Sequence, residues 1–263
     1  MFQPKFLGQR LLIKRSLDFW KIIYNTFTAA GGPVIILWVL LPLMNKSKQL
    51  PLSFWYPYDT KNSPLFEITC LHQIMSFFFS VIAIFNIDML VAALMVFIGT
   101  QCDILCDDLR NLHDNITASF SENLIKSIKH HQEILIFAER CNEYISFILL
   151  GQFLASSVIL SFILYGLALV NVKVLFDDSL DVRFFAHVVL VVFYMIQIFT
   201  YCWFGNEVEV KSNKIPYSIF ESDWTRHSLT NKQNMMMLIV KSQKPIRLSA
   251  YNLFYLSLEI YIK

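Results

Sequence analysis

The sequence predicts an all-α fold, a polytopic helical membrane protein, on three observations. Of its 263 residues 56% are hydrophobic, 15% aromatic and only 16% charged, where soluble domains carry roughly 25% charged residues. Four long stretches are free of Asp, Glu, Lys and Arg, one of them with a single exception. The basic residues outside those stretches are crowded onto one set of alternate loops.

The stretches set the elements. Crossing a hydrocarbon layer of about 30 Å takes about 20 apolar residues as a helix. Residues 22–45 run uncharged through Ala29-Ala30-Gly31-Gly32-Pro33 into Ile35-Ile36-Leu37-Trp38. Residues 68–102 are interrupted only by Asp88, and 144–172 and 184–206 carry no charge. A helix in a soluble core shows charges at helical spacing along its wet face, and these do not. The basic leader with Lys5, Arg10, Lys14 and Arg15 resembles a signal peptide, but the apolar run behind it is too long and lacks a small-residue cleavage site.

Charge sets the orientation. The leader, the loop 103–143 and the tail from Glu207 hold 17 Lys and Arg, against five in the loops 46–67 and 173–183. Basic loops stay on the cytosolic side, so both termini and the loop 103–143 are expected there. That side is called the basic side below. The formal net charge of +2 offers no field for nucleic acid. Five cysteines without a C-x-x-C pair argue against a disulfide framework or a zinc module. No Gly-rich phosphate loop and no metalloprotease or serine-hydrolase motif is present, so no enzyme activity, cofactor or metal is expected.

Periodicity fills in the basic side. A helix over 68–102 is about 52 Å long and must project from the bilayer, which places Asp88 near its inner boundary, where an acid costs far less than at the centre. Leu105, Leu109, Leu112 and Ile116 continue one face of that helix. Ser119-x-x-Glu122 reads as a capping box opening a second helix, with Leu124, Ile128, Leu135 and Ala138 as its apolar stripe. The loop 103–143 is thus expected to be a helical hairpin beneath the membrane. Cys102, Cys106 and His113, with His130-His131, raise a metal site, but adjacent histidines point to different helix faces, and solvated positions are the simpler reading.

Two further stretches carry a resemblance. Leu50-Pro51-Leu52-Ser53-Phe54-Trp55-Tyr56-Pro57-Tyr58-Asp59, then Ser63-Pro64 and Leu71-His72-Gln73, are similar to the external loop before the fourth helix of insect odorant receptors. Cys202-Trp203-Phe204-Gly205-Asn206-Glu207-Val208, Tyr217-Ser218-Ile219-Phe220-Glu221-Ser222-Asp223-Trp224, Ser242-Gln243-Lys244-Pro245-Ile246 and Leu256-Ser257-Leu258-Glu259 follow in that family's order and spacing. The resemblance favours odorant receptors over their gustatory relatives, whose C-terminal signature differs. A small transporter would need paired ionisable residues at mid-bilayer, and the span interiors offer only His72, Asp88 and His187.

The resemblance implies part of a seven-helix fold in which 22–45, 68–102, 144–172 and 184–206 correspond to helices three to six. Residues 1–206 form the transmembrane region, and 207–263 form a cytosolic anchor-like segment with the start of the last helix. On that mapping the chain lacks the family's first two helices and most of its seventh, as a fragment, an incomplete gene model or a pseudogene product would. It implies a plasma-membrane, multi-pass subunit of an odorant-gated, non-selective cation channel, assembled as a hetero-tetramer with a shared co-receptor, its ligand a volatile odorant. Trp38, Leu41, Gln73, Met75, Phe79 and Tyr194, in the outer halves of the spans, are the expected odorant contacts. Tyr217, Glu221, Asp223 and Trp224 are the expected subunit contacts.

Overall fold

The computed structural model describes residues 7–44, 50, 55–60, 62–112, 119–177, 182–222, 224 and 227–262, and the side-chain surroundings of these except at 7, 30, 33–44, 169–177, 182, 183 and 186. Long uninterrupted helices dominate, because a peptide group in hydrocarbon can hydrogen-bond only within its own helix. They are α1 (Leu7–Met44), α2 (Leu65–Arg110), α3 (Phe120–Asp177) and α4 (Val182–Ser212). The short helices α5 (Ile215–Phe220) and α6 (Leu229–Ser242) follow. A two-stranded antiparallel hairpin, β1 (Ser249–Ala250) and β2 (Phe254–Tyr255), leads into α7 (Leu258–Ile262).

Among the described residues three helical segments, in 65–110, 120–168 and 187–220, contain a stretch long and apolar enough to cross a membrane. The expected span 22–45 lies within α1, much of it beyond the described side chains. The exposed surface of the spans is apolar: Leu71 and Phe79 are each 63% exposed and Phe162 is 71% exposed. In water such surface would be costly at about 25 cal/mol per Å²; against lipid it is the preferred contact.

The described residues pack into two compact units, and α1 to α4 each contribute to both. The division therefore crosses the helices. One unit comprises residues 1–21, 91–156 and 197–263, the other 22–90 and 157–196.

The first unit gathers the basic side. Helix α2 continues to Arg110 as its apolar face requires, with Leu105, Leu109 and Leu112 fully buried. The capping box forms: Glu122 N–H donates to Ser119 Oγ at 3.3 Å and Ser119 N–H to Glu122 Oε2 at 3.4 Å. The buried stripe of α3 runs through Leu124, Ser127, His131, Ile134, Ala138, Cys141, Ile145 and Leu149, at spacings of three and four. It keeps Leu124 and Ala138 of the expected stripe, while Ile128 and Leu135 flank it half-buried. His131 is thus a core residue and not the solvated position expected; the period of α3 turns it inward between Leu124 and Ala138. His130 is half-buried and hydrogen-bonds with Gln101 at 3.2 Å.

The leader joins this unit as helix, which the sequence reading did not include. Gln9 is buried and its Nε2 donates to Asp108 Oδ1 at 2.7 Å, and Phe19 meets the edge of Phe204 at 6.2 Å. Around the same core Lys211 pairs with Asp103 at 2.7 Å, and Arg110 with Glu221.

In the second unit Tyr24 packs on Phe85 and Phe27 on Phe193, with centroids 5.2 and 6.0 Å apart. A Cβ on Gly166 would lie 2.8 Å from His187 Nε2, so the missing side chain lets α3 and α4 approach there. Leu109→Ala, which opens a cavity in the fully buried face of α2, should cost about 2–5 kcal/mol. Leu71→Ala, at an exposed position, should cost well under half of that. Thermal unfolding in detergent micelles compares them, and equal melting temperatures would contradict the burial pattern.

Candidate ligand and assembly sites

Two groups of side chains stand apart from ordinary packing, one in each unit. The first is the aromatic lining of the second unit. Helix α1 supplies Tyr24 and Phe27, α2 supplies Phe85, and α4 supplies the adjacent Phe193 and Tyr194, whose rings meet edge to face at 6.0 Å. A Cβ at Gly31, one turn beyond Phe27, would lie 3.8 Å from Phe193, an ordinary packing distance. Tyr194 is half-buried and within electrostatic reach of Asp88, which is buried in α2. The cluster is apolar, with the Tyr194 phenol and the Asp88 carboxylate beside it.

The expected odorant contacts fall in different places. Tyr194 belongs to this aromatic group. The side chains of Trp38 and Leu41 lie outside the described residues. Met75 and Phe79 are 46% and 63% exposed, Phe79 against the ring of Phe78 at 6.2 Å. Gln73 is buried and its Nε2 donates to Tyr56 Oη at 2.9 Å. Next to it the Thr69 hydroxyl donates to Leu65 O at 2.7 Å, so Tyr58, 3.0 Å away, is the donor to Thr69. The loop bearing Trp55-Tyr56-Pro57-Tyr58 is thereby tied down onto the first turns of α2, with the rings of Tyr56 and Tyr58 tilted at 41° and their centroids 5.4 Å apart. Sequence reasoning missed Phe27, Phe85 and Phe193 because phenylalanine in an apolar run gives no local sign of which face it takes.

The second group lies on the basic side. Helix α6 buries Met235, Leu238, Ile239 and Ser242, spaced three, one and three, and leaves Met236, Met237 and Val240 about 60% exposed or more. Tyr217 and Phe220 of α5 are 68% and 57% exposed, and Trp224 37%. These apolar side chains lie in a segment that also carries Lys232, Lys241 and Lys244, outside any uncharged stretch. Of the expected subunit contacts, Tyr217 and Trp224 are on this surface, Glu221 pairs with Arg110, and Asp223 lies outside the described residues. For His131, thirteen residues before the uncharged stretch that opens at Tyr144, burial, then the neighbouring His130 and Lys241, push the pKa below the ordinary imidazole value.

A family model described as 7tm odorant receptor matches residues 9–263. The chain belongs to that family. It is 23% identical over 242 residues to odorant receptor 10 of Aedes albopictus, covering 89% of this chain and 61% of the relative. It is 20% identical over 255 residues to odorant receptor 46a, isoform A, of Drosophila melanogaster, covering 95% of this chain and 65% of the relative. The insect olfactory receptor OR5 of Machilis hrabei, solved in complex with eugenol, superposes with a TM-score of 0.83 at 19% identity, covering 97% of this chain and 65% of that one. The chain thus spans about three-fifths to two-thirds of the length of these relatives. The fold is that of the insect olfactory receptor, and this is a receptor family, not an enzyme family.

Gln73→Leu removes the donor to Tyr56, a bond worth about 1 kcal/mol net. Amide hydrogen exchange in residues 55–60 should then accelerate about fivefold with α2 beyond its first turns unchanged; no acceleration would mean that the loop is held by something else.

Proposed function

We propose that this chain is the odorant-binding subunit of a ligand-gated, non-selective cation channel, residing in the plasma membrane with its N-terminus cytosolic. The observation that carries the reading is the family match across 9–263 on a chain whose helices take the olfactory-receptor fold. The orientation rests on the 17-to-five distribution of basic residues.

In this reading a volatile odorant is held by the aromatic group of the second unit. Rings at Phe27, Phe85, Phe193 and Tyr194 give large apolar contact with little loss of side-chain freedom, and the Tyr194 hydroxyl offers one polar contact. Trp38, Leu41, Gln73, Met75 and Phe79 remain proposed contacts from the outer halves of the spans, with Gln73 acting through the loop it holds. The co-receptor, completing a hetero-tetramer, covers the exposed face of α5 and α6 with Tyr217, Glu221, Asp223 and Trp224. An apolar face in a charged, aqueous setting is a mark of an interaction surface, and a central Trp is a frequent anchor of such contacts.

Three outcomes test the proposal. With the co-receptor co-expressed, Phe193→Ala or Tyr194→Ala should raise the half-maximal odorant concentration roughly tenfold at unchanged surface expression; unchanged dose–response curves for both would remove the site. Trp224→Ala should weaken co-immunoprecipitation with the co-receptor, and undiminished recovery of a folded variant would place the interface elsewhere. In intact cells, protease added outside should spare 103–143, and cleavage there would invert the topology.

A further inference from the structure

The segment between α6 and α7 is fastened rung by rung to one face of α4. Ile246 N–H donates to Ser212 Oγ at 3.0 Å, and Arg247 Nε to Glu209 Oε1 at 2.8 Å. At the top of this ladder the main chain of Leu256 lies directly on Gly205: a Cβ there would collide with the Leu256 side chain and stand 2.9 Å from its carbonyl oxygen. Residues 205, 209 and 212 are spaced four and three apart, a single stripe along the helix. The segment therefore runs antiparallel to α4, from Ser212 back toward the apolar stretch.

The opposite side of the segment is held by α3. Ser249 N–H donates to Asn142 Oδ1 at 2.8 Å, and the Asn142 amide returns a bond to Ser249 Oγ at 3.4 Å. Phe254 meets Phe153 edge-on at 5.1 Å. The hairpin turns through Tyr251 and Asn252 at φ 50° and 56°, with Leu253 N–H donating to Ala250 O at 3.0 Å and Leu256 N–H to Leu248 O at 2.8 Å.

Charge gives the level of these contacts. Glu207 is the first charge after the uncharged run 184–206, so Gly205 lies at the edge of the apolar layer. Beyond it, Tyr261 of α7 packs against Phe199 with centroids 5.3 Å apart, and Phe199 is about a turn and a half further into that run. The chain thus re-enters the apolar layer at Leu256.

We propose that Gly205 is a positioning residue for the channel, the seat on which the main chain of Leu256 rests and which fixes where α7 enters the bilayer. Any larger residue at 205 lifts Leu256 off α4 and displaces α7, while the lower rungs at Glu209, Ser212 and Asn142 hold. The seat itself is a property of this chain; its effect on current rests on the channel reading above.

The test uses the purified chain in lipid nanodiscs with Cys70→Ser and Tyr261→Cys, the four other cysteines being buried. Labelling of the new thiol by a membrane-impermeant maleimide reports the seating of α7. Gly205→Ala should raise that rate roughly tenfold. Gly151→Ala, in the same unit where a Cβ meets open space, should leave it unchanged. Equal rates in the two variants would overturn the proposal. The pair Gly205→Ala/Leu256→Gly, which removes the closest collision, should bring the rate back toward the parent's, or restore folding if Gly205→Ala alone does not fold; no recovery of either would also overturn it. In cells with the co-receptor, Gly205→Ala should change the odorant-independent and maximal currents while leaving the half-maximal odorant concentration within about twofold, a split that loss of folded protein does not produce. A labelling shift without odorant current even from the parent chain would leave the seat standing and sink the channel reading. Normal currents with unshifted labelling would sink the seat.

Discussion

A peptide group in hydrocarbon has no water to bond, and this constraint governs the chain from end to end. Every N–H and C=O that crosses the apolar layer must be satisfied along its own helix, so the chain is committed to helices of 31 to 58 residues, several times the usual length of about 11. Irregular backbone is confined to where polar partners exist. The hairpin 249–255 and the segment before it show the rule: the strands are two residues each, Ser249 N–H is met by Asn142 of α3, and Ile246 N–H by Ser212 of α4.

The same helices face two solvents, and their side chains divide accordingly. In the second unit aromatic rings pack on one another, and exposed side chains such as Leu71, Phe79 and Phe162 are apolar. In the first unit the faces carry Asp103, Glu209 and Lys211 in ion pairs, and small polar residues cap turns. The helices that line the aromatic group are the ones that reach the basic side, so a change at Phe193 and a change at Gly205 act on one continuous helix, α4.

Much of this was legible in the sequence because it is local. Freedom from charge over 20 or more residues, the capping box at Ser119 and the projecting face of Leu105 and Leu109 each depend on neighbours within one helix. What was not legible depends on residues distant in sequence. The leader helix is tied to α2 through Gln9 and Asp108, 99 residues apart. His131 turns inward because the stripe of α3 is set by the partner it packs on, and Ile128 and Leu135, equally apolar candidates, lose that contest by a fraction of a turn. Gln73 read as a polar residue in an apolar span; its bond to Tyr56 was not legible, because Tyr56 sits in a loop whose path no periodicity describes. Gly205 stood out only as one residue of a motif that carries the resemblance, and what it does depends on Leu256, far along the chain.

The central claim is that one set of helices runs from lipid into water. Spin labels placed at successive positions from 68 to 112 along α2 in nanodiscs, with their access to oxygen and to a water-soluble nickel chelate measured, test it most directly. The account predicts oxygen-dominated access at Leu71 and Phe79, a crossover between Leu90 and Asp103, and chelate-dominated access at exposed positions beyond. Oxygen-dominated access persisting to Arg110, or chelate access at Phe79, would contradict it.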